Sequence, residues 1–242
     1  MMRLHFLTLS IILSSTLIAV PTRAQEKPAA DVTAKYREAA IEKWEAEIKK
    51  IEERDKTETD PEHAILFIGS SSIRLWGKDI AADLKPWPVI ERGYGGAKFS
   101  DLAVYADRLI RPHKFDALVI FVGNDVTGGK DDKTPEEVTA LFKHVVQTAR
   151  TTHPDQPIFL IEITPTPSRW KAWPQIKEVN AALKQACEQG KNMHFISTAD
   201  QYLNADGGPM PELFKEDKLH QNRDGYARWS KIIKEALAKV LK

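Results

Sequence analysis

The chain has 242 residues, 42% of them hydrophobic and 29% charged, which is the balance of one globular α/β domain of roughly 200 residues plus appendages. Its 35 basic and 34 acidic residues are scattered, not clustered, which argues against nucleic acid or an anionic membrane surface as a partner. A single cysteine, Cys187, excludes an intrachain disulfide and a cysteine-based metal site.

Residues 1–24 read differently from the rest, with a basic start at Arg3, an apolar run from Phe6 to Val20, a breaker at Pro21 and Thr22-Arg23-Ala24 behind it. This pattern predicts a secretory signal peptide cut after Ala24, and hence an exported protein of the periplasm or cell exterior. The apolar run of about 15 residues falls short of the roughly 20 that a spanning helix needs, so no stable membrane insertion is expected after cleavage. Residues 25–60 are expected to hold a short polar linker and a peripheral helix. In that helix, read over 31–54, Tyr36, Ala40, Trp44, Ile48 and Ile51 make one apolar stripe among charges.

Residues 61–242 form the main domain. Apolar runs of strand length occur at Ala64–Ile68, Pro88–Glu91, Ala117–Val122, Ile158–Ile163 and His194–Ser197. Helical periods lie between and after them, at Phe99–Ile110, Pro135–Thr151, Gln175–Gln189 and Asp224–Leu241. A continuous run such as Leu118-Val119-Ile120-Phe121-Val122 suits a strand buried on both faces, and the alternation suits a parallel sheet wrapped by helices. The expected fold is α/β, a three-layer α/β/α arrangement with a flavodoxin-like parallel sheet of about five strands. Cys187, within the amphipathic stretch from Ile176 to Glu188, is expected to face the core as a small hydrophobe.

In such folds ligands bind beyond the carboxyl ends of the strands, which directs attention to the residues after each run. After the first come Gly69-Ser70-Ser71-Ser72, where a glycine permits a tight strand-to-helix turn and a serine exposes its hydroxyl at the sheet edge. A serine helix cap fits the same residues equally well. After the second come Gly93-Tyr94-Gly95-Gly96, and after the third Gly123-Asn124-Asp125, offering close backbone N–H approach and an amide donor. The glycine cluster does not meet the G-x-G-x-x-G dinucleotide pattern. Near the C-terminus Asp217-Lys218-Leu219-His220 places a carboxylate and an imidazole within one turn, a spacing that also suits a metal site or a surface ion pair.

Taken together, Gly69-Ser70-Ser71, Gly96, Asn124-Asp125 and Asp217-x-x-His220, in that order and at strand ends, resemble the conserved blocks of the SGNH (GDSL-like) hydrolase superfamily. The resemblance runs from about Ala64 to the C-terminus and is nearest the branch of platelet-activating-factor acetylhydrolase-like and carbohydrate esterases. It implies Ser71 as nucleophile, His220 as general base and Asp217 as its orienting partner. It also implies an oxyanion hole of the Ser71 and Gly96 backbone N–H groups with the Asn124 side-chain amide. The chemistry agrees, since ester cleavage needs an activated hydroxyl, a base and donors aimed at the developing oxyanion. The sequence departs from the family pattern at Ser70, where the family has aspartate, and at Val122, where it has glycine.

The implied activity is that of an exported serine esterase removing a short acyl group, acetyl foremost, from a carbohydrate or other small ester, with no cofactor and no metal. Two other readings are a lipid or lysophospholipid acylhydrolase, and a non-catalytic carbohydrate-binding protein that keeps the fold. Trp170 and Trp173, in the Pro-rich stretch after the fourth strand, are placed as substrate-binding residues or as packing beneath that loop. His63, His113, His144, His153 and His194 lack partners at helical metal spacing and read as surface or packing residues. Oligomeric state leaves no mark in the sequence.

Overall fold

The computed structural model describes residues 31–241, so the predicted signal peptide and the linker after it lie outside the described residues. A 3₁₀ turn at Ala34–Tyr36 leads into α1 (Arg37–Asp55), followed by β1 (Ile65–Gly69), α2 (Ser71–Trp76), α3 (Asp79–Asp83), β2 (Val89–Gly93) and α4 (Phe99–Ile110). Then come β3 (Ala117–Phe121), α5 (Pro135–Thr152), β4 (Ile158–Ile161), a 3₁₀ segment at Pro167–Ala172, α6 (Trp173–Gln189), β5 (Met193–Ile196) and α7 (Arg223–Ala238).

The five strands form one parallel sheet in the order β2-β1-β3-β4-β5. Successive strand residues point to opposite faces, and the two faces build two separate cores. Leu66, Ile68, Leu118, Ile120, Ile158 and Leu160 pack with α1, α4, α5 and α6. Ile65, Phe67, Val119, Phe121, Phe159 and Ile161 pack with α2, α3 and α7. This is the three-layer α/β/α fold, with strands apolar on both faces because both faces are covered. The strand order reverses between β1 and β3, which places the ligand crevice of such sheets beyond the carboxyl ends of those two strands.

Element limits shift where proline chemistry intervenes. β2 begins at Val89 because Pro88 has no N–H to donate, although its carbonyl accepts from Ile65 N at 2.8 Å, and the strand runs on to Gly93. α6 begins at Trp173, two residues ahead of the expected start, with Pro174 in the first turn, where a missing N–H costs nothing. The closing helix ends at Ala238, and β4 at Ile161. Cys187 lies on the buried face of α6, as expected, and burial pushes its thiol up to about 12.

α1 buries Ala40, Trp44, Ile48 and Ile51 of the predicted stripe against α4 and the sheet, while Tyr36, its first member, lies half-buried in the 3₁₀ turn ahead of the helix. Its inner face also reaches the loop after β2. Trp44 packs where a Cβ on Gly95 would stand, at 2.0 Å, and Glu47 accepts the Gly95 N–H at 3.0 Å. No helix among the described residues is long and apolar enough to cross a membrane.

Candidate active site

Gly69 ends β1 with φ of +141°, a conformation that side chains rarely adopt, and a Cβ there would meet the Phe121 carbonyl oxygen at 1.9 Å. The glycine therefore lets the chain turn tightly against β3, with Ser70 N–H donating to Phe121 O at 3.0 Å. Ser70 is buried and precedes α2, which begins at Ser71. Of the three serines, Ser71 is the one whose hydroxyl meets an imidazole: its Oγ lies 2.9 Å from His220 Nε2.

On the other side of that ring, His220 Nδ1 stands 2.6 Å from Asp217 Oδ2. The second carboxylate oxygen accepts the backbone N–H groups of Leu219 and His220, both at 2.9 Å, so Asp217 builds the turn that carries its own partner. Lys218 takes φ of +55° at the apex of this turn. Burial would raise the Asp217 carboxyl, but donation from the imidazole and from the two backbone N–H groups outweighs it and holds the group at about 2. The turn is tied down by Lys215 N–H donating to His220 O at 2.8 Å, and Tyr226 of α7 donates its hydroxyl to Ser72 O at 2.8 Å. Thus α7 reaches the serine turn as well as following the histidine.

Asn124 follows β3. Its Nδ2 donates to Ala97 O at 2.8 Å, which ties the loop after β3 to the loop after β2. Arg169, from the 3₁₀ segment after β4, donates through Nη2 to Asn124 Oδ1 at 2.5 Å and through Nη1 to the Gly123 carbonyl. Burial lowers the pKa of this guanidinium, and no carboxylate among the described residues lies in ion-pair distance of it. Asp125, next to Asn124, is buried; it accepts the Phe99 N–H at 2.8 Å and has the Lys133 ammonium 3.1 Å away, off hydrogen-bonding geometry. Desolvation raises its pKa despite that cation.

Ser71, Asn124, Arg169 and His220 line one small cavity of about 30 Å³, together with Phe121, Ile163, Thr164 and Phe214. Gly96 is exposed in the loop after β2, where an added Cβ would meet open space, and it is not part of that lining. Trp170 and Trp173 stack on each other at 6.0 Å and line a separate groove beside Glu162 and Lys177, so the structure does not bring them into the Ser71 cavity. Trp173 is buried, its indole serving as packing beneath the Pro-rich loop.

Four of the five other described histidines have local partners, and the half-buried His144 of α5 is the exception. His63 pairs with Asp116, His113 is buried against Asp60, and His153 and His194 stack on Phe115 and Phe159. No cluster of three His, Cys, Asp or Glu side chains able to hold a metal occurs among the described residues. Sequence reasoning passed over Arg169 and Tyr226 as site residues. Arg169 could have been found by the strand-end rule that drew attention to Ser71 and Asn124, since it lies in the loop after β4.

Comparison with known proteins agrees with this architecture. Residues 61–228 match the GDSL-like lipase/acylhydrolase family. The chain belongs to that family. It is an ester hydrolase. Among solved structures, a Bacteroides fragilis protein named as a candidate acylhydrolase is 20% identical with a TM-score of 0.71, covering 81% of this chain and 98% of its own. A GDSL-like lipase from Bacteroides thetaiotaomicron is 18% identical with a TM-score of 0.69, covering 81% and 99%. A carbohydrate esterase family 3 protein from Talaromyces cellulolyticus is 16% identical with a TM-score of 0.56, covering 73% and 97%. At these identities the likeness speaks for the fold alone. No curated protein matches the sequence. Within the GDSL-like domain the family match begins at residue 61, so α1 lies ahead of it.

Proposed function

We propose that this GDSL-like hydrolase is an exported serine esterase that removes a short acyl group, acetyl foremost, from a carbohydrate or another small ester. The observation that carries the reading is the line from Ser71 Oγ through both ring nitrogens of His220 to Asp217, with spacings of 2.9 and 2.6 Å. His220 takes the hydroxyl proton as Ser71 Oγ bonds to the ester carbonyl carbon. The same proton then leaves with the alcohol as the C–O bond breaks. Water, deprotonated by the same ring, splits the acyl-enzyme and returns the serine. Asn124 Nδ2 keeps one N–H beyond its bond to Ala97 O, and we assign it, with the Ser71 backbone N–H, to the oxyanion.

The small cavity at Ser71 supports a short acyl group over a fatty chain. Export rests on the Arg3, Phe6–Val20 and Ala24 pattern.

One experiment covers these points. A fluorophosphonate probe applied to intact cells is expected to label Ser71 in a protein recovered outside the cytoplasm and starting at Gln25. Nitrophenyl esters should then be cleaved fastest as acetate, with rates dropping through butyrate to octanoate. Ser71→Ala should lose roughly 10³-fold or more in kcat while remaining folded. Absence of label at Ser71 would sink the serine assignment, a preference for octanoate would restore the lipid reading, and a labelled cytoplasmic protein retaining residues 1–24 would overturn export.

A further inference from the structure

The proposed reaction accounts for Ser71, His220, Asp217 and Asn124, but leaves unexplained why a guanidinium stands in the same cavity. Arg169 belongs to the 3₁₀ segment Pro167–Ala172, which is fastened on two sides. Ser168 N–H donates to Lys218 O at 3.1 Å, in the Asp217–His220 turn, while the Arg169 guanidinium grips Gly123 O and Asn124 Oδ1.

A side-chain amide can rotate by half a turn and exchange its oxygen and nitrogen at little cost. At Asn124 this exchange is blocked from both ends. The Ala97 carbonyl accepts only from a nitrogen, and the Arg169 N–H donates only to an oxygen, so Nδ2 and its second hydrogen stay on one side. The guanidinium bonds here to neutral acceptors and has no carboxylate within ion-pair distance among the described residues. Its charge therefore pulls electron density from the Asn124 oxygen and strengthens donation at Nδ2. Lysine cannot reproduce this hold, because a point-like ammonium lacks the planar fork that spans two acceptors.

We propose that Arg169 is a positioning residue of the oxyanion hole, fixing and polarising the Asn124 amide from the loop after β4. The inference rests on the assignment of Asn124 as an oxyanion donor. It differs from a purely structural role in a measurable way. A loop staple would affect folding or substrate binding, whereas a residue acting through Asn124 affects turnover and does so only while Asn124 is present.

The test is a double-mutant cycle on 4-nitrophenyl acetate with wild type, Asn124→Ala, Arg169→Met, Arg169→Lys and the Arg169→Met/Asn124→Ala pair, all checked by near-UV circular dichroism. Asn124→Ala should lower kcat by about 10²–10³-fold. Arg169→Met should lower it by about 10–10²-fold, less than loss of the donor itself, with KM changing under about threefold. Arg169→Lys should fall between Arg169→Met and wild type, and it keeps the test open should the methionine variant fail to fold. In the Asn124→Ala background, the Arg169 substitution should have almost no further effect on kcat. Full kcat in both folded Arg169 variants, or an equal loss with and without Asn124, would overturn the inference while leaving Asn124 in place. Full kcat in Asn124→Ala would overturn the oxyanion assignment itself, and the Arg169 inference with it.

Discussion

Asp217 divides its two oxygens between two tasks. Oδ1 takes two backbone N–H groups and shapes the turn, and Oδ2 takes the ring N–H of His220. Because those donors hold the carboxyl at about 2, against the pull of burial, it remains ionised at every pH at which ester hydrolysis is measured. Asp217→Asn keeps the volume and one acceptor, but it loses the charge and offers the ring an amide in place of a carboxylate oxygen. The imidazole then loses its preferred tautomer, so kcat should drop by roughly 10²–10⁴-fold, while His220→Ala, which removes the proton acceptor, should cost at least as much. Steady-state kinetics of both variants settles the order, and a larger loss in Asp217→Asn than in His220→Ala would contradict these roles. At this scale the residues alone left Ser70, Ser71 and Ser72 open, because a run of three serines carries no directional signal. What separates them is the backbone at Gly69 and the bond from Ser70 N–H to Phe121 O, which bury Ser70 and leave Ser71 facing His220.

Elements were legible in proportion to their length and periodicity. The five strands and the helices α1, α4, α5, α6 and α7 stand where apolar runs and helical stripes predicted them, with ends unmoved or moved by up to three residues, except at the start of α1, read from Asp31 and found at Arg37 after a 3₁₀ turn. The five-residue α3 and the 3₁₀ segment at Pro167–Ala172 are shorter than the repeat that periodicity needs, and they left no pattern to read. Contact between elements was less legible still. The stripe on α1 announced a buried face, but nothing in the sequence tied Trp44 and Glu47 to Gly95, one residue from Gly96. That contact makes α1 a brace for the loop after β2. Gly95→Ala forces a methyl into the Trp44 ring at a φ of +23°, so it should destabilise the fold by about 1–3 kcal/mol and move the adjacent loop. Urea denaturation reads the first effect and kcat on a short ester the second. A variant with wild-type values for both would show that the loop is not braced by α1.

At the scale of the whole molecule, the GDSL-like domain and the helix ahead of it are joined by apolar burial and by charged contacts, among them Arg92 with Asp55, Arg54 with Glu91 and Arg108 with two glutamates. Arg108 of α4 donates to Glu45 of α1 through both terminal nitrogens, at 2.7 and 3.1 Å, and to Glu52 through Nε and Nη2, at 2.7 and 2.8 Å. Donation from Arg108 is the foremost cause that lowers the pKa of both glutamates and also raises that of the arginine. Isolated surface ion pairs contribute little, but a bidentate guanidinium shared by two carboxylates on one helix fixes α1 in position and register. The pH dependence follows from the direction of the shifts. A carboxylate whose folded pKa lies below its unfolded value of about 4.3 adds stability above that pH, and loses it as the pH falls through the folded value. Arg108→Met, which keeps much of the stem's packing, should therefore be less stable than wild type at pH 7, with the gap closing below about pH 4. The gap should also narrow at pH 7 in 1 M salt, where screening acts over about 3 Å. Urea denaturation at pH 7, 5 and 3 measures it directly. A gap that persists unchanged at pH 3 would assign the Arg108 contribution to packing of its stem and not to its charge.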